Sequence, residues 1–256
     1  MSQAYGDDFA RLYDSRWATF AKEAAPVIHT FHTSRSGSDL PLRMLDLCCG
    51  TGQLTRYFLD RGFRATGVDL SEGMLGHARR NAGPHLQDGA ADFVQADAAD
   101  FELPQTYGLV VSTYDALNHL PHLDALRSCL ACVAAVTVPG GRFVFDLNTR
   151  QGLYRWNGTV VWEDVDGFVV QRSHYDGGDR AETLLTGFVP EQDGTRYRRF
   201  DEAVFNTVFD LVDVARLAEQ TGWELYFAVL EDLTAPLAEP ELEGRVFAVA
   251  TRVPAT

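Results

Sequence analysis

Between residues 43 and 147 the sequence alternates short apolar runs with amphipathic runs at helical spacing. The pattern predicts strands at 44–47, 64–68, 91–95, 107–112 and 142–147, and helices at 54–61, 74–81 and 123–136. A β-α-β alternation of this kind favours a parallel sheet with helices on both faces. The sequence therefore predicts an α/β fold.

The regions on either side of this alternation have different patterns. Residues 1–40 carry aromatic and apolar side chains at helical spacing, which predicts an N-terminal helical lid. Beyond residue 149, turn dipeptides separate strand-like runs, which indicates hairpins in an inserted antiparallel β lobe. A helix and two strands close the chain. The predicted parts are 1–40 (lid), 41–149 (core), 150–205 (β lobe) and 206–256 (closing elements of the core).

Composition and charge restrict the partners. The formal charge of -14 argues against nucleic acid, because a phosphate backbone must be met by clustered Lys and Arg. The longest apolar run, residues 130–138, is too short to cross a bilayer, so we expect a cytoplasmic protein without a membrane partner. The four cysteines, at positions 48, 49, 129 and 132, lack two separated Cys-x-x-Cys knuckles. We interpret them as small core residues and predict no metal; zinc or a disulfide is the alternative.

A glycine turn, Gly50-Thr51-Gly52, follows the first predicted strand. Such a turn can serve a phosphate loop, a metal or redox pair, or another small cofactor. A phosphate loop requires Gly-Lys-Ser/Thr, which is absent. A dinucleotide site requires a third glycine, where Thr55 or Arg56 stands. Neither phosphate interpretation fits.

Three acids lie where successive predicted strands end. Asp46 precedes the glycine turn, Asp69 stands at the tip of the second strand, and Asp97 follows the third. A carboxylate at the second tip can accept hydrogen bonds from both ribose hydroxyls, and we assign it little structural purpose. The acid after the third strand can accept from the exocyclic amine of adenine. Together the acids favour S-adenosyl-L-methionine, whose product is S-adenosyl-L-homocysteine.

The stretches LDLCCGTG (45–52), VDLS (68–71) and QADAAD (95–100), with the strand at 107–112, resemble the motifs of class I S-adenosylmethionine-dependent methyltransferases in order and spacing. The resemblance covers roughly residues 40–150. It implies a Rossmann-like sheet of seven strands, six parallel and the last antiparallel.

A narrower resemblance involves residues 5–14, 115–120, 145–149 and 200–202. These segments resemble a small-molecule subgroup that carries an antiparallel β lobe over the active site. The subgroup includes N-methyltransferases of antibiotic biosynthesis, such as those of the lincosamides and of aminosugars. The resemblance implies a small-molecule methyl acceptor, and the lobe could also serve as the surface of a homo-oligomer.

The motifs and the resemblance together give a set of candidate cofactor contacts, some of which have structural alternatives. Asp46 could instead cap the turn, Met74 could be a core residue, Asp97 could cap a helix, and Tyr5 and Tyr13 could be packing residues. A solvated side chain is the alternative for Arg16. The full set is Tyr5, Tyr13, Arg16, Asp46, Gly50, Gly52, Asp69, Leu70, Met74, Asp97 and Ala98.

Candidates for acceptor binding are Trp17, Asn118 and Asn148, and candidates for catalysis are Tyr13, Tyr114 and His119. An amine acceptor needs no strong base, whereas a hydroxyl usually needs a base or a metal. The absence of a convincing metal pattern favours N-methylation. The alternatives are O-methylation with His119 as general base, methylation of a protein, and a non-catalytic cofactor-binding module.

Overall fold

The computed structural model describes residues 6–16, 18–35, 40–165, 167–191 and 195–254. The α-helices are α1 (Asp7–Arg16), α2 (Ala18–Arg35), α3 (Gln53–Leu59), α4 (Glu72–Ala82), α5 (Pro84–Gln87), α6 (Leu123–Val136), α7 (Arg150–Arg155) and α8 (Leu211–Gln220). The strands are β1 (Arg43–Leu47), β2 (Arg64–Asp69), β3 (Ala91–Gln95), β4 (Tyr107–Ser112), β5 (Thr137–Asn148), β6 (Gly158–Asp164), β7 (Gly167–His174), β8 (Arg180–Pro190), β9 (Tyr197–Thr207), β10 (Trp223–Ala228) and β11 (Arg245–Arg252). Short 3-10 turns cover Ala116–His119 and Pro240–Leu242.

The central sheet has seven strands in the order β10-β11-β5-β4-β1-β2-β3. Six strands are parallel, and β11 runs antiparallel to both of its neighbours. This arrangement confirms the predicted sheet. The strand order reverses between β1 and β4, so ligands are expected outside the carboxyl ends of these strands.

Helices cover both faces of the sheet, as the alternation predicts. On one face α2, α3 and α4 bury apolar side chains that include Ile28, Phe58 and Leu75. On the other face α6 and α8 do so, and Cys129 of α6 is a fully buried member of that core. A strand buried on both faces reads as a continuous apolar run, which is how these strands appear in the sequence.

A second sheet contains β6-β7-β8-β9, each strand antiparallel to the next. It confirms the predicted antiparallel lobe. Its inner face carries Val169, Leu185 and Phe200, which alternate with more exposed residues along their strands. Helix α1 packs on this inner face through Phe9 and Leu12. The division of the chain at residues 40, 149 and 205 stays a prediction.

The structure differs from the prediction in three elements. Helix α5 is not predicted because it has only four residues. Strand β5 begins at Thr137, directly after α6, whereas the sequence predicts residues 142–147. Gly140 lies within it at φ 76°, and the pairing with β4 shifts between Tyr107 and Leu109, so an irregular strand hides its periodicity. Helix α7 is not predicted because it has only six residues. Among the described residues, no helix is long and apolar enough to cross a membrane.

Candidate functional site

The loop after β1 turns through left-handed backbone conformations. Cys48, Gly50 and Gly52 have φ values of 59°, 53° and 79°. A side chain at Gly52 would place its Cβ 2.9 Å from the Cβ of Ala78 in α4, so glycine allows α3 and α4 to approach each other. The two glycines therefore shape the loop from which α3 begins.

Asp69, the last residue of β2, fixes this loop. Its Oδ2 accepts a hydrogen bond from the backbone N–H of Gly50 at 2.8 Å, and its Oδ1 accepts from that of Ser71 at 2.9 Å. Burial raises the pKa of this carboxyl, while the hydrogen bonds from the backbone act to lower it. The expectation that an acid at this tip has little structural purpose is therefore wrong, because the carboxylate joins the loops after β1 and β2.

A first pocket, which we call the Asp69 pocket, lies at the ends of the central strands. It brings together four predicted cofactor contacts, namely Asp69, Leu70, Asp97 and Ala98. Asp97 also accepts a hydrogen bond from the Ala99 N–H at 2.9 Å, so it caps a turn while it lines the pocket. The remaining lining residues are Cys48, Val68, Ala96, Ala116, His119 and Leu120.

A second pocket, the Asp46 pocket, lies beside the first. The lining residues are Tyr13, Phe20, Ala21, Asp46, Cys48, Cys49, Gln53, Leu54, Thr113 and Tyr114. Cys48 lines both pockets, so the two adjoin at this residue, and we refer to them together as the cleft. Neither lining, within the described part of the chain, contains a lysine or an arginine.

Asp46 is a buried carboxyl at the floor of its pocket. Its Oδ2 accepts from Thr55 twice, from the backbone N–H at 3.0 Å and from the hydroxyl at 2.6 Å. Burial raises the pKa of Asp46 to about 7, and the nearby charge of Asp69 contributes in the same direction. A buried carboxylate is stabilised by a positive partner, so the pocket favours a cationic ligand.

The carboxyl-terminal half of α1 is tied to the core at the edge of this pocket. Asp14 accepts hydrogen bonds from Gln53 Nε2 at 2.8 Å and from Asn81 Nδ2 at 2.7 Å, and its second oxygen lies 3.2 Å from His77 Nδ1. These contacts place Tyr13, one residue earlier, against the glycine loop. The Cβ position at Gly50 lies 3.5 Å from the Tyr13 ring.

Tyr114 forms the wall of the Asp46 pocket after β4. Its ring stacks on Phe20 of α2 at a centroid distance of 4.8 Å and lies 6.4 Å from the Tyr13 ring. Burial raises the pKa of Tyr114 to about 12, so the phenol is neutral at physiological pH. Two of the three predicted catalytic residues thus meet in one pocket.

The third, His119, lies elsewhere. It lines the Asp69 pocket and is absent from the lining of the Asp46 pocket. Burial lowers the pKa of its imidazole, while the charge of Asp115 and a hydrogen bond with the Phe205 backbone act in the opposite direction. This placement does not support a general base at the acceptor, because the histidine shares its pocket with Asp69 and Asp97.

The predicted acceptor contacts Asn118 and Asn148 have hydrogen-bond partners within the protein. Asn118 is fully buried and donates from Nδ2 to the carbonyls of Asn148 and Thr207, while its Oδ1 accepts from the Asn148 N–H. Asn148 in turn donates to the side chain of Asn206. Both amides are engaged in joining β5 to β9 and hold the lobe on the core, and neither belongs to the described lining of the Asp46 or the Asp69 pocket.

Met74 is buried in an apolar cluster. It is 1% exposed and packs with α1 and the inner face of the lobe, as in the core alternative. Tyr5 and Trp17 lie outside the described residues, as does the side chain of Arg16.

The described residues contain no group of three or more His, Cys, Asp or Glu placed to hold a metal ion. All four cysteines are free. Burial raises the pKa of the Cys48 and Cys49 thiols well above the ordinary range, which leaves them protonated at neutral pH.

Several residues at the site were not predicted from the sequence. Phe20 and Gln53 line the Asp46 pocket, while Asp146 and Arg245 bond to the segment that carries Tyr114. Asp146 belongs to a quoted motif, residues 145–149, but the motif gives no role for its side chain. Arg245 has no local signal, because its partners lie about 100 residues or more away in the sequence.

Comparisons with known proteins identify the family to which this chain is similar. The family described as "Methyltransferase domain" matches residues 44–141. A dTDP-3-amino-3,4,6-trideoxy-alpha-D-glucopyranose N,N-dimethyltransferase from Streptomyces venezuelae is 32% identical over 212 residues, which cover 80% of this chain and 85% of the relative.

Solved structures are similar over nearly the whole length. The sugar N-methyltransferase KedS8 from a Streptoalloteichus species has a TM-score of 0.76 at 25% identity and covers 99% of this chain and 96% of its own. An S-adenosylmethionine-dependent methyltransferase from Clostridium acetobutylicum has a TM-score of 0.78 at 20% identity. The match covers 96% of this chain and 98% of that protein, and it supports the fold alone.

Proposed function

This chain belongs to the class I S-adenosylmethionine-dependent methyltransferases, and we propose that it methylates the amino nitrogen of a small molecule of the amino-sugar class. It is a small-molecule methyltransferase that uses S-adenosylmethionine. The nitrogen acceptor and its sugar character are our proposal. They are supported by the names of the relatives and by the chemistry of the cleft.

The residues present fit the cofactor. The cleft offers carboxylates at Asp46, Asp69 and Asp97 and no lysine or arginine in either described lining, which suits a cationic nucleoside and is unsuited to a pyrophosphate. In our proposal the Asp69 pocket holds the adenosine portion, with Asp69 on the ribose, Asp97 and the Ala98 amide on the base, and His119 and Leu70 as neighbours. The Asp46 pocket holds the methionine portion.

Asp46 has one oxygen available for such a ligand. Among the described residues its hydrogen bonds fall on Oδ2, so Oδ1 is left for a donor in the pocket. An ammonium group there supplies the charge that the buried carboxylate lacks. Tyr13 and Tyr114 flank this ligand and exclude water from it.

Bound S-adenosylmethionine supplies a methyl group on a sulfonium. Transfer of this methyl group requires a nucleophile in line with the carbon–sulfur bond, and the sulfur leaves as a thioether. The protein's part is therefore to position the acceptor, to keep water out and to leave the nucleophile unprotonated. The side chains of the Asp46 pocket are suited to positioning. The phenol of Tyr114 and the two thiols are protonated at neutral pH and cannot act as bases.

The observation that carries N-methylation is this shortage of a base, since the one histidine of the cleft lies in the Asp69 pocket. An amine that reaches the site uncharged attacks directly, and water can take the proton after transfer. A hydroxyl acceptor would need a base, and Asp46, whose pKa of about 7 would suit that role, is assigned in this proposal to the ammonium group of the cofactor. O-methylation with His119 as base therefore becomes the second candidate.

The test is a mass-spectrometric assay of the full chain with S-adenosylmethionine and two acceptor panels. One panel contains nucleotide-linked 3-amino and 4-amino sugars, and the other contains the matching hydroxy sugars and simple phenols. We expect gains of one or two methyl groups only on amines. Methylation confined to the hydroxyl panel would contradict the proposal, while S-adenosylhomocysteine formation in either panel would still show methyl transfer.

A further inference from the structure

Two consecutive residues after β4 adopt a conformation that ordinary side chains avoid. Tyr114 and Asp115 have φ values of 69° and 50°, in the left-handed region that favours glycine. Residues held there persist only when the surrounding structure over-determines them, and such residues cluster at functional sites. Something outside this segment must therefore hold it.

Asp146 of β5 holds it through both carboxylate oxygens. Oδ1 accepts from the Tyr114 N–H at 2.6 Å, and Oδ2 accepts from the Asp115 N–H at 2.9 Å. Asp146 is fully buried. A pair of backbone donors that converge on one carboxylate fixes the direction of both peptide groups, so the side chain sets the conformation of the segment.

Arg245 of β11 completes the arrangement. One nitrogen of its guanidinium donates to Asp146 Oδ2, and Nη2 donates to Asp115 Oδ1 at 2.7 Å. The rigid fork of an arginine suits two acceptors at once, and a lysine does not reproduce it. We call Asp115, Asp146 and Arg245 the ion triad; it joins the end of β4 to β5 and β11.

The ring of Tyr114 is placed by the same residues. The Arg245 guanidinium carbon lies 4.9 Å from the centre of the Phe20 ring and 5.5 Å from that of Tyr114. The two rings also stack on each other with an interplanar angle of 19°. Tyr114 is thus held at its backbone by Asp146 and at its ring by Phe20 and Arg245, while neither Asp146 nor Arg245 lines the pocket.

We propose that Asp146 and Arg245 are positioning residues that fix Tyr114 as the wall of the Asp46 pocket and thereby set the affinity for the methionine portion of the cofactor. The inference rests on the proposed placement of the cofactor across the two pockets. Its specific content is that the ion triad acts on the Asp46 pocket more than on the Asp69 pocket, because Tyr114 lines the first and no member of the triad lines the second.

The test compares two probes by calorimetry on the full chain. Adenosine can fill only the Asp69 pocket, whereas S-adenosylhomocysteine reaches both. Asp146→Asn replaces one acceptor oxygen by a donor amide, which faces either a backbone N–H or the guanidinium. We expect S-adenosylhomocysteine to bind about tenfold more weakly, the equivalent of one lost charge-assisted hydrogen bond, and adenosine to bind as in the parent.

Asp213→Asn is the matched control, because Asp213 pairs with Arg216 on the exposed side of α8 and should affect neither probe. If Asp146→Asn does not fold, Arg245→Lys serves instead and should give the same selective loss. Equal weakening of both probes, or of neither, would overturn the positioning role.

A double-mutant cycle identifies Tyr114 as the intermediate. In a Tyr114→Ala background, Asp146→Asn should cost no further affinity for S-adenosylhomocysteine, because the wall that it positions is already missing. Additive losses would refute action through Tyr114. A parent protein that binds adenosine but not S-adenosylhomocysteine would instead refute the proposed placement of the cofactor, so the two failures are distinguishable.

Discussion

The two pockets of the cleft are built in different ways. The Asp69 pocket consists of residues at the ends of β1, β2 and β3 and of the segment that follows β4, all within residues 48–120. The Asp46 pocket adds Tyr13 of α1 and Phe20 of α2, and its Tyr114 wall depends on β5 and β11. The Asp69 pocket is therefore formed by the parallel sheet and its loops, while the Asp46 pocket forms only when distant segments pack on the sheet.

The packing beneath each pocket shows the same contrast. The sheet is covered on both faces by large, fully buried clusters that include Phe143, Phe145 and Phe247. Helix α1 belongs to a smaller cluster shared with the lobe, in which Phe9 meets Phe200 edge to face. A small cluster at a ligand site is the part of a fold expected to open first.

The largest effect is expected from Asp69→Ala, which tests the pocket of the sheet. The change removes a carboxylate that orders two backbone groups and is proposed to bind the ribose. We expect affinity for both adenosine and S-adenosylhomocysteine to fall about 100-fold, for two charge-assisted bonds. Calorimetry measures this, with the exposed Asp88→Ala as control.

Asp69→Ala should also lower the melting temperature of the unliganded protein, because Gly50 and Ser71 lose their acceptor. An affinity within twofold of the parent would remove Asp69 from the site. A loss restricted to S-adenosylhomocysteine would reverse the assignment of the two pockets.

A second prediction uses the pKa of Asp46, about 7, which is raised by burial. As pH falls from 8 to 6 the carboxyl takes up a proton and loses its attraction for an ammonium. Affinity for S-adenosylhomocysteine should therefore drop about tenfold over this range, while that for adenosine should change little. Asp46→Asn should abolish the difference.

The raised pKa of Asp46 has the opposite effect on the stability of the unliganded protein, which should increase as the pH falls. The folded state binds this proton more tightly than the unfolded state, whose carboxyl has the ordinary pKa of 3.8. The cost of the buried charge is fully present above pH 7 and declines as pH falls through 7. From pH 8 to pH 6 the free energy of unfolding, measured with urea, should rise less for Asp46→Asn than for the parent.

A third prediction concerns the link between α1 and the core. Asp14→Asn removes the carboxylate charge to which Gln53 and Asn81 donate and turns an amide NH2 toward His77, so α1 should open more often. We expect hydrogen exchange in residues 9–14 to accelerate and affinity for S-adenosylhomocysteine to fall about fivefold, with adenosine unaffected. Glu23→Gln, exposed on α2, is the control. Unchanged exchange in α1 would show that this network does not hold α1 on the core.

The smallest effect is expected from His119→Ala. In the Asp69 pocket the imidazole is a neighbour of the proposed adenosine portion, so both probes should bind a few-fold more weakly. Turnover of an amine acceptor should fall only modestly and should keep its pH profile. A loss of about three orders of magnitude, with a titration near neutral pH abolished, would restore the histidine as a general base and favour O-methylation.

The sequence by itself determined the sheet and the acids at its strand ends. Strand and helix periodicities, the glycine turn and the spacing of Asp46, Asp69 and Asp97 are local signals, and parallel strands bring consecutive carboxyl ends to one edge. The Asp69 pocket therefore follows from the order of the elements. The function of the family was accessible for the same reason, since its motifs lie at these ends.

Only the tertiary structure decided the roles that depend on long-range contacts. Asn118 looks like a pocket residue in the sequence, but partners in β5 and β9 engage it fully. His119, one residue later, faces the other part of the cleft. The left-handed turn at Tyr114 requires Asp146 and Arg245, which stand 32 residues or more away. Such contacts leave no periodic trace, because side chains meet across sheets through packing that sequence spacing does not encode.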